Sequence, residues 1–183
     1  MKKLSESRTP ALTVLIIVAL IAVPLFGGIG LKTAERSAAK AFSSVACKPD
    51  QHGNDLFSDT DRLIVAARSL LSEGKALSKD SGSEFENRAS ALETAIDVCS
   101  KQKNAIERYT SYETLYLAAK QFYNGVKGNA SSEIESFMTE VESQAKRIDR
   151  SYRTEYTEYL NKCSELTASW PASSIAKLWN IGG

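Results

Sequence analysis

Histidine and cysteine are scarce in this sequence. The chain has one histidine, His52, and three widely spaced cysteines, Cys47, Cys99 and Cys163, with no Cys-x-x-Cys pair. Zinc sites and disulfide frameworks need such residues in clusters, so we predict neither a metal site nor a disulfide framework. Each cysteine lies on the apolar stripe of a candidate helix, and we interpret all three as small buried hydrophobic residues.

The short motifs that mark common enzyme sites are also missing. The sequence contains no Gly-x-x-x-x-Gly-Lys-Ser/Thr loop, no Gly-x-Gly-x-x-Gly turn and no His-Glu-x-x-His helix. A Ser-His-Asp or Cys-His site would have to use His52, which lies in a stretch of loop-forming residues. The segment "NDLFSDTD" lacks the spacing of a calcium loop, and we interpret it as the start of a helix. We therefore predict no enzyme activity, no catalytic residue and no cofactor.

Neither sign of charge dominates, and proline is rare. The 23 basic and 22 acidic residues are spread along the 183-residue chain, with a formal net charge of +1. No block is basic enough for a nucleic-acid footprint, so we predict no nucleic-acid partner. Only four prolines occur, while Ala, Ser, Glu and Lys are plentiful. This composition favours helix over sheet.

A long apolar run lies near the N-terminus. Residues Ala11 to Leu31 include no charged side chain, and as a helix they would reach about 30 Å, the thickness of a bilayer core. Pro24 is compatible with a membrane helix. A cleaved signal peptide is the competing interpretation, but it needs a shorter run that is followed promptly by a cleavage site. Basic residues flank both ends, so the positive-inside rule leaves the orientation open.

The rest of the chain shows apolar residues at three- and four-residue steps, which predicts amphipathic helices. Helix A continues the apolar run to Val45 and is broken by "CKPDQHGND". Helix B starts near "FSDTD", with Ser58 or Asp59 as its N-cap. The stretch "SEFE", from Ser83 to Glu86, is predicted as a capping box that opens helix C.

The apolar stripe of helix C extends to Tyr109. Thr110 and Glu113 have the spacing of a second capping box, which predicts a corner and then a short helix D through Tyr123. The stretch "NGVKGN" is predicted to stop this helix, because three loop-forming residue types occur within six positions.

Helix E carries the strongest pattern. It is predicted to start at Ser132, with Glu135 completing a capping box. Its near-heptad stripe covers about five repeats, or roughly 50 Å of helix. The stripe consists of Ile134, Phe137, Met138, Val141, Ala145, Ile148, Tyr152, Tyr156, Tyr159, Leu160, Cys163 and Leu166.

Pro171 is predicted to end helix E near Trp170, because proline lacks the amide donor and clashes with the preceding turn. The tail beyond it is apolar at Ile175, Leu178, Trp179 and Ile181. We expect this tail to fold back on the end of the bundle. The alternatives are a position at the membrane interface, where Trp is favoured, and docking on a partner.

These elements predict an all-α fold, in which an N-terminal transmembrane helix is followed by an antiparallel bundle of long helices that is similar to a four-helix bundle. The predicted organisation is a short polar N-terminus at residues 1–10, a transmembrane helix at 11–31 and a helical bundle at 32–183.

Aromatic residues form the candidate interaction surface. Its predicted members are Tyr109, Tyr112, Tyr116, Tyr152, Tyr156, Tyr159, Trp170 and Trp179. If the corner after helix C meets the middle of helix E, the tyrosines form one cluster. We expect them mainly to pack in the core with hydroxyls that reach the surface; a groove for a ligand or partner is the alternative.

Several short segments occur in the order that is typical of one family. They are "AFSSV" at residues 41–45, "ERY" at 107–109, "AKRID" at 145–149, the tyrosines Tyr152, Tyr156 and Tyr159, Trp170-Pro171, and the ending at 175–181. In these features the chain resembles the LemA family of membrane-anchored bacterial proteins. It departs from the family at "HGNDLFSDTDRL", which keeps only Asp55-Leu56 of a longer motif. The resemblance implies one membrane helix, a helical bundle and no known catalysis.

The anchor, the amphipathic helices and this resemblance predict a single-pass protein of the bacterial inner membrane. Its bundle is expected to act as a scaffold in an envelope-associated assembly. The predicted partners are the lipid bilayer, through residues 11–31, and a protein that the sequence does not identify, with a homo-oligomer left open. The alternative function is a ligand-sensing bundle on the outer face of the membrane that acts through a separate signalling protein. The side of the membrane that holds the bundle stays open.

Overall fold

The computed structural model describes the backbone of residues 8–77, 82–168 and 172–181, and the side chains of these residues except 8–26 and Asn129. Within these ranges every regular element is helical. The helices are α1 (Arg8–Ala46), α2 (Leu56–Leu77), α3 (Ser83–Lys101), α4 (Ala105–Val126), α5 (Ser132–Thr167) and α6 (Ala172–Trp179), with a 3-10 turn at Lys127–Asn129. The predicted all-α fold is confirmed for this part of the chain.

Residue contacts divide the chain into two compact units. Unit 1 comprises Met1–Ala41 and Glu158–Gly183, and unit 2 comprises Phe42–Thr157. The predicted bundle at residues 32–183 therefore includes parts of both units.

Unit 2 is a helical bundle in which α2, α3 and α4 pack on one another. Their apolar stripes supply most of its core, as the predicted pattern requires. On α2 the fully buried leucines are Leu56, Leu63 and Leu70. The helix begins one turn earlier than predicted because Asp55, rather than Ser58 or Asp59, is its cap. Oδ1 of Asp55 accepts from the Ser58 amide at 2.8 Å, and Oγ of Ser58 accepts from the Asp55 amide at 2.7 Å.

The boundary between α3 and α4 differs from the prediction. The chain turns at residues 102–104, and Asn104 caps α4 by accepting from the Ile106 amide at 2.8 Å. Thr110 lies inside α4, so the predicted corner and capping box at Thr110–Glu113 are wrong. The predicted box at Ser83–Glu86 is also wrong, because the cap of α3 is Gly82, which has no side chain to accept a hydrogen bond.

Helix α5 matches its predicted start and periodicity. It begins at Ser132, but the cap is the preceding residue, Ser131, whose Oγ accepts from the Ile134 amide at 3.3 Å. In unit 2 its buried stripe alternates steps of four and three residues, through Ile134, Met138, Val141, Ala145, Ile148 and Tyr152. The helix ends at Thr167. Trp170 and Pro171, on which the predicted end was based, lie outside the described residues.

Helix α1 runs without a break from Arg8 to Ala46, as predicted for the apolar run and the stripe after it. In unit 2 its last turns bury Phe42 and Ala46, whereas Val45, which was predicted on the stripe, is exposed. Across the residues with described side chains, none of the helices combines the length and the apolar character needed to cross a bilayer. Most of the predicted membrane segment, residues 11–26, has side chains outside that set.

In unit 1 the tail forms α6 and packs on α1. Ile175, Ala176 and Ile181 are buried, while Leu178 is 74% exposed. The chain leaves α6 through Asn180, whose φ of 50° is left-handed, and the Ile181 amide donates to the Ala176 carbonyl at 3.0 Å. Trp179 covers Gly28 of α1 so closely that a Cβ at that position would lie 2.2 Å from the indole ring. The tail therefore folds back on α1, but at Gly27 and Gly28, which belong to the predicted membrane segment 11–31 and not to the predicted bundle.

Gly74 of α2 lies directly against the Phe122 ring of α4. A Cβ at this position would lie 2.4 Å from the ring of Phe122, which is fully buried and packs against Phe85 with ring centroids 5.5 Å apart. We expect Gly74→Ala to lower the free energy of unfolding by about 1–3 kcal/mol, because the ring has nowhere to move. Gly128→Ala is the control, since nothing lies within 4 Å of its Cβ position. Denaturant unfolding of both variants in detergent checks this; equal stabilities would contradict it.

Candidate functional site

An aromatic cluster joins three helices of unit 2. Tyr109 of α4 lies against Tyr156 of α5 with ring centroids 4.4 Å apart, and against Tyr112 at 4.9 Å. Phe42 of α1 packs edge-on to Tyr109 at 5.9 Å and to Tyr156 at 5.6 Å. The Tyr156 hydroxyl reaches the edge of the cluster, where it lies 3.0 Å from Oγ1 of Thr110. Tyr109 therefore meets α5, although the corner on which the predicted cluster depended is absent.

The aromatic residues of the candidate surface do not form one site. Tyr109, Tyr112 and Tyr152 are buried, which agrees with the core-packing interpretation. Tyr116, Tyr156, Tyr159 and Trp179 are half-buried. Tyr159 and Trp179 belong to unit 1, and Trp170 lies outside the described residues. The role of this set as an interaction surface stays a prediction.

Burial changes the acidity of the enclosed phenols. The pKa of Tyr112 is raised well above its ordinary value, first by burial and then by its hydrogen bond to Tyr109. Burial also raises the pKa of Tyr109 and of Tyr152, and for Tyr152 the nearby Asp59 carboxylate adds to the effect. These phenols stay protonated at neutral pH, so none of them is poised to act as a base.

Arg108 is a buried cation at the junction of α2, α3 and α4. Its side chain is 3% exposed. Its Nε donates to Oγ1 of Thr60 at 2.6 Å, its Nη1 donates to the Cys99 carbonyl at 2.5 Å, and its Nη2 pairs with Asp61. The guanidinium carbon also lies 5.6 Å from the centroid of the Phe57 ring. Arg108 thereby ties the first turns of α2 to one of the last carbonyls of α3.

Asp59 is a buried anion one residue away from Thr60. Its side chain is 2% exposed, and Oδ1 lies 3.1 Å from Nε of Arg147 on α5. This contact is ionic rather than a well-aligned hydrogen bond. The Tyr152 hydroxyl donates to Oδ2 of Asp59 at 3.4 Å. Asp59 therefore fixes α5 against the start of α2.

Arg147 also holds the loop between α1 and α2. Its Nη2 lies 3.0 Å from Oδ2 of Asp50. The other oxygen of Asp50 accepts from the backbone amides of His52 at 2.7 Å and Asn54 at 2.9 Å. The amide of Asn54 is the main reason that the pKa of Asp50 is lowered. One guanidinium thus links the loop, α2 and α5.

The charged groups of this arrangement make contacts that join helices. The acidic side chains of "NDLFSDTD" are occupied, since Asp55 caps α2, Asp59 pairs with Arg147 and Asp61 pairs with Arg108. Within the described ranges, no group of three or more His, Cys, Asp or Glu residues could hold a metal ion. His52 is exposed in its loop.

The three cysteines divide into two kinds. Cys99 and Cys163 are buried, as predicted, and burial is the main cause that raises the pKa of each thiol. Cys47 is exposed just past the end of α1, so its predicted burial is wrong. The stripe on which Cys47 was predicted ends at Ala46, because the helix ends there.

A surface groove runs between α3 and α4. It is lined by eleven residues: Asn87, Ser90, Ala91, Thr94, Ala95, Val98, Ser111, Thr114, Leu117, Ala118 and Gln121. A quarter of the residues in the chain are charged, yet none of these is. Val98 and Leu117 are large apolar side chains that are 44% and 56% exposed. An uncharged face of this kind is suited to contact with another apolar surface.

A second groove lies between α4 and α5 and has a volume of about 330 Å³. Tyr112 and Tyr116 form part of its wall, and Glu113, Lys146 and Asp149 supply charges of both signs. Of the candidate aromatic residues, these two are the ones that line a groove of this kind in unit 2.

The sequence does contain a signal for the burial of Arg108. Once α4 begins at Ala105, its buried residues follow steps of three and four: Ala105, Arg108, Tyr112, Leu115, Ala119, Phe122 and Val126. Arg108 is the charged member of a core stripe, which indicates a buried ion pair. The predicted corner at Thr110 assigned Arg108 to helix C, so its place in the core stripe of α4 was not recognised. Asp59 and Arg147 lie beside their stripes and gave no such signal.

Comparisons of the chain with protein-family models, with curated proteins and with solved structures find no match. The candidate sites are therefore judged on their geometry alone.

Removal of the Arg108 side chain is expected to destabilise unit 2. Arg108→Met leaves the buried Thr60 hydroxyl and the Cys99 carbonyl without their donor, so we expect the free energy of unfolding to fall by about 2 kcal/mol or more. Arg153→Met is the control, because Arg153 pairs with Asp149 at the surface and such pairs contribute about 0.5 kcal/mol or less. Chemical denaturation compares the two. Equal losses would refute a structural role for Arg108.

Proposed function

We propose that this protein is a single-pass, membrane-anchored helical scaffold of the LemA type, which binds a protein partner and performs no catalysis. Residues 11–31 are the anchor, and the partner binds in the uncharged groove between α3 and α4. The protein lies in the bacterial inner membrane and takes part in an envelope-associated assembly.

The anchor is supported by the apolar run and by the helix that contains it. Residues 11–31 carry no charge and have the length of a bilayer core. The backbone of α1 is helical through this whole stretch and continues to Ala46. A helix satisfies its own backbone hydrogen bonds, as a segment in lipid must.

The absence of catalysis is supported by the fact that the buried charged side chains are engaged in contacts between helices. Asp59 and Arg108 are the charged side chains that lie buried in the described part of the chain. Both are engaged in contacts that join helices, through Arg147 for Asp59 and through Asp61 for Arg108. An active site usually keeps a perturbed titratable group open to a cleft, and neither of these faces one of the grooves in unit 2.

The single observation that carries the scaffold proposal is the α3–α4 groove. The groove is lined by eleven residues without a charge, which include the exposed Val98 and Leu117. This is unusual on a surface where both charge signs are common. Ala, Ser and Thr on the floor of the groove let a helix of the partner approach closely. A second copy of this chain is one partner that such a face would fit.

Site-specific photo-crosslinking tests this function. A benzophenone amino acid in place of Leu117, in the full chain in its native membrane, is expected to give a discrete adduct with a protein. The same group in place of Val65 is the control, because Val65 is 61% exposed but lies in a groove that contains Asp61, Arg62 and Glu140. An adduct that doubles the mass of the chain would identify a homo-oligomer.

A charged substitution completes the test. Ala91→Glu places a carboxylate in the groove and is expected to remove the Leu117 adduct without loss of stability, because position 91 is exposed. An adduct at Val65 but none at Leu117 would contradict the proposal.

Ligand sensing is the second candidate function, and the α4–α5 groove favours it. Tyr112 and Tyr116 offer ring faces there, and Lys146 can pair with an anionic group. A screen of small molecules by thermal shift separates the two functions: stabilisation of the full chain by one compound, lost in Tyr116→Ala, would favour sensing.

A further inference from the structure

We infer that α6 is an interfacial helix, which lies on the membrane surface beside the end of the apolar run, with Leu178 and Trp179 in contact with lipid. This inference rests on the proposed anchor at residues 11–31. It adds a second lipid contact, made by a segment more than a hundred residues away in the chain.

The level of α6 is set by two contacts with α1. The Trp179 ring occupies the space above Gly28, and a Cβ there would lie 2.2 Å from it. Cδ1 of Ile175 lies 3.0 Å from the Cβ position of Gly27. Gly28 is three residues before the end of the apolar run, or about 4.5 Å along the helix. If the run fills the hydrocarbon core, Gly28 lies about 4.5 Å inside the edge of the core, close to the depth of about 5–10 Å at which interfacial helices bury their apolar face.

The direction of α6 follows from the same contacts. Gly27 and Gly28 are about 1.5 Å apart along the axis of α1, whereas Ile175 and Trp179 are about 6 Å apart along α6. Two residues one turn apart on α6 therefore touch α1 at nearly the same level. Helix α6 crosses α1 instead of running beside it, so when α1 spans the bilayer, α6 lies close to the membrane plane.

The outward side of α6 has the composition of an interfacial helix. Ile175 and Ala176 face protein, while Leu178 is 74% exposed and Trp179 is half-buried. Ile29 of α1, at the same level, is 54% exposed. Lys177 is exposed next to Leu178 and can reach lipid phosphates. Trp and Lys beside an exposed Leu are favoured at the boundary between headgroups and acyl chains.

Gly28 is the residue that makes this packing geometrically feasible. Any side chain at position 28 would displace the Trp179 ring, while Gly30, two residues further on, has nothing within 4 Å of its Cβ position. Gly28→Ala and Gly30→Ala are therefore a matched pair. The first should displace α6 and the second should leave it in place.

Fluorescence quenching in proteoliposomes tests the inference. The reporter is Leu178→Trp in a full chain with Trp170→Phe and Trp179→Phe, reconstituted into phosphatidylcholine that is brominated near the headgroup end of its acyl chains. We expect a loss of emission relative to unbrominated lipid and weak quenching by iodide in the buffer. The two glycine variants are compared in a chain that keeps Trp179 and carries only Trp170→Phe, because the clash at position 28 is with the Trp179 ring. Gly28→Ala should reduce the quenching of Trp179 emission by brominated lipid, and Gly30→Ala should not.

Leu160→Trp in the same background is the control reporter. Leu160 is 48% exposed, and the neighbouring Lys162, Glu165 and Leu166 lie beside residues 34–41 of α1. Those residues are about 9–20 Å beyond Gly28 along the helix, or about 4.5–15 Å beyond the end of the apolar run, so most of them lie outside the polar layer. Iodide, and not brominated lipid, should quench this reporter.

Carbonate extraction of the same vesicles distinguishes failure of the proposed anchor from failure of the inference about α6 alone. If the chain is released, the anchor and this inference both fail. If the chain stays in the membrane but the L178W reporter is quenched by iodide and not by brominated lipid, the anchor stands and the inference is overturned. Retention together with lipid quenching supports both.

Discussion

The interior of unit 2 depends on the burial of charge at the start of α2. A guanidinium or carboxylate that leaves water is stable only if a partner of opposite charge and further hydrogen bonds replace the water. Arg108 and Asp59 meet this condition through contacts that reach α2, α3, α4 and α5. The consecutive residues Asp59, Thr60 and Asp61 therefore fix the register of three other helices. Apolar stripes alone would allow these helices to slide by a turn.

The parts of the fold that follow from periodicity could be predicted from the sequence. The stripe of α5 was placed correctly within unit 2, where six buried residues alternate in steps of three and four, but Leu160, which was assigned to the same stripe, is 48% exposed. The corner between α3 and α4 could not be predicted from the sequence. Asn104 caps α4 without a turn motif around it, whereas Thr110 and Glu113 have the spacing of a capping box but lie inside the helix. Pairing across the bundle depends on tertiary distances, so Asp59 and Arg147 carried no local signal. The uncharged α3–α4 groove is formed by residues of two helices, so it can be recognised only once the packing of these helices is known.

The division between interior and surface connects this architecture to function. The buried tyrosines and the buried charges of unit 2 make contacts that hold the helices together. The proposed partner site is instead at the surface, where the α3–α4 groove lacks charge. In unit 1 the contact between helices depends on small residues, since Gly27 and Gly28 let the last helix lie against α1. The buried charges Asp59 and Arg108 thus fix the helices of unit 2, and the small residues Gly27 and Gly28 allow the close contact of α6 with α1 in unit 1.

The most direct test of this account is a double-mutant cycle between Asp59 and Arg147. Asp59→Asn, Arg147→Gln and the double variant are compared with the unmodified chain by denaturant unfolding in detergent. The account predicts a coupling energy of about 1–3 kcal/mol, because Arg147→Gln leaves the buried Asp59 carboxylate without its cation, whereas Arg147→Gln in the Asp59→Asn background does not. Effects that add to within about 0.5 kcal/mol would show that the two residues act independently, and would contradict the proposed control of helix register.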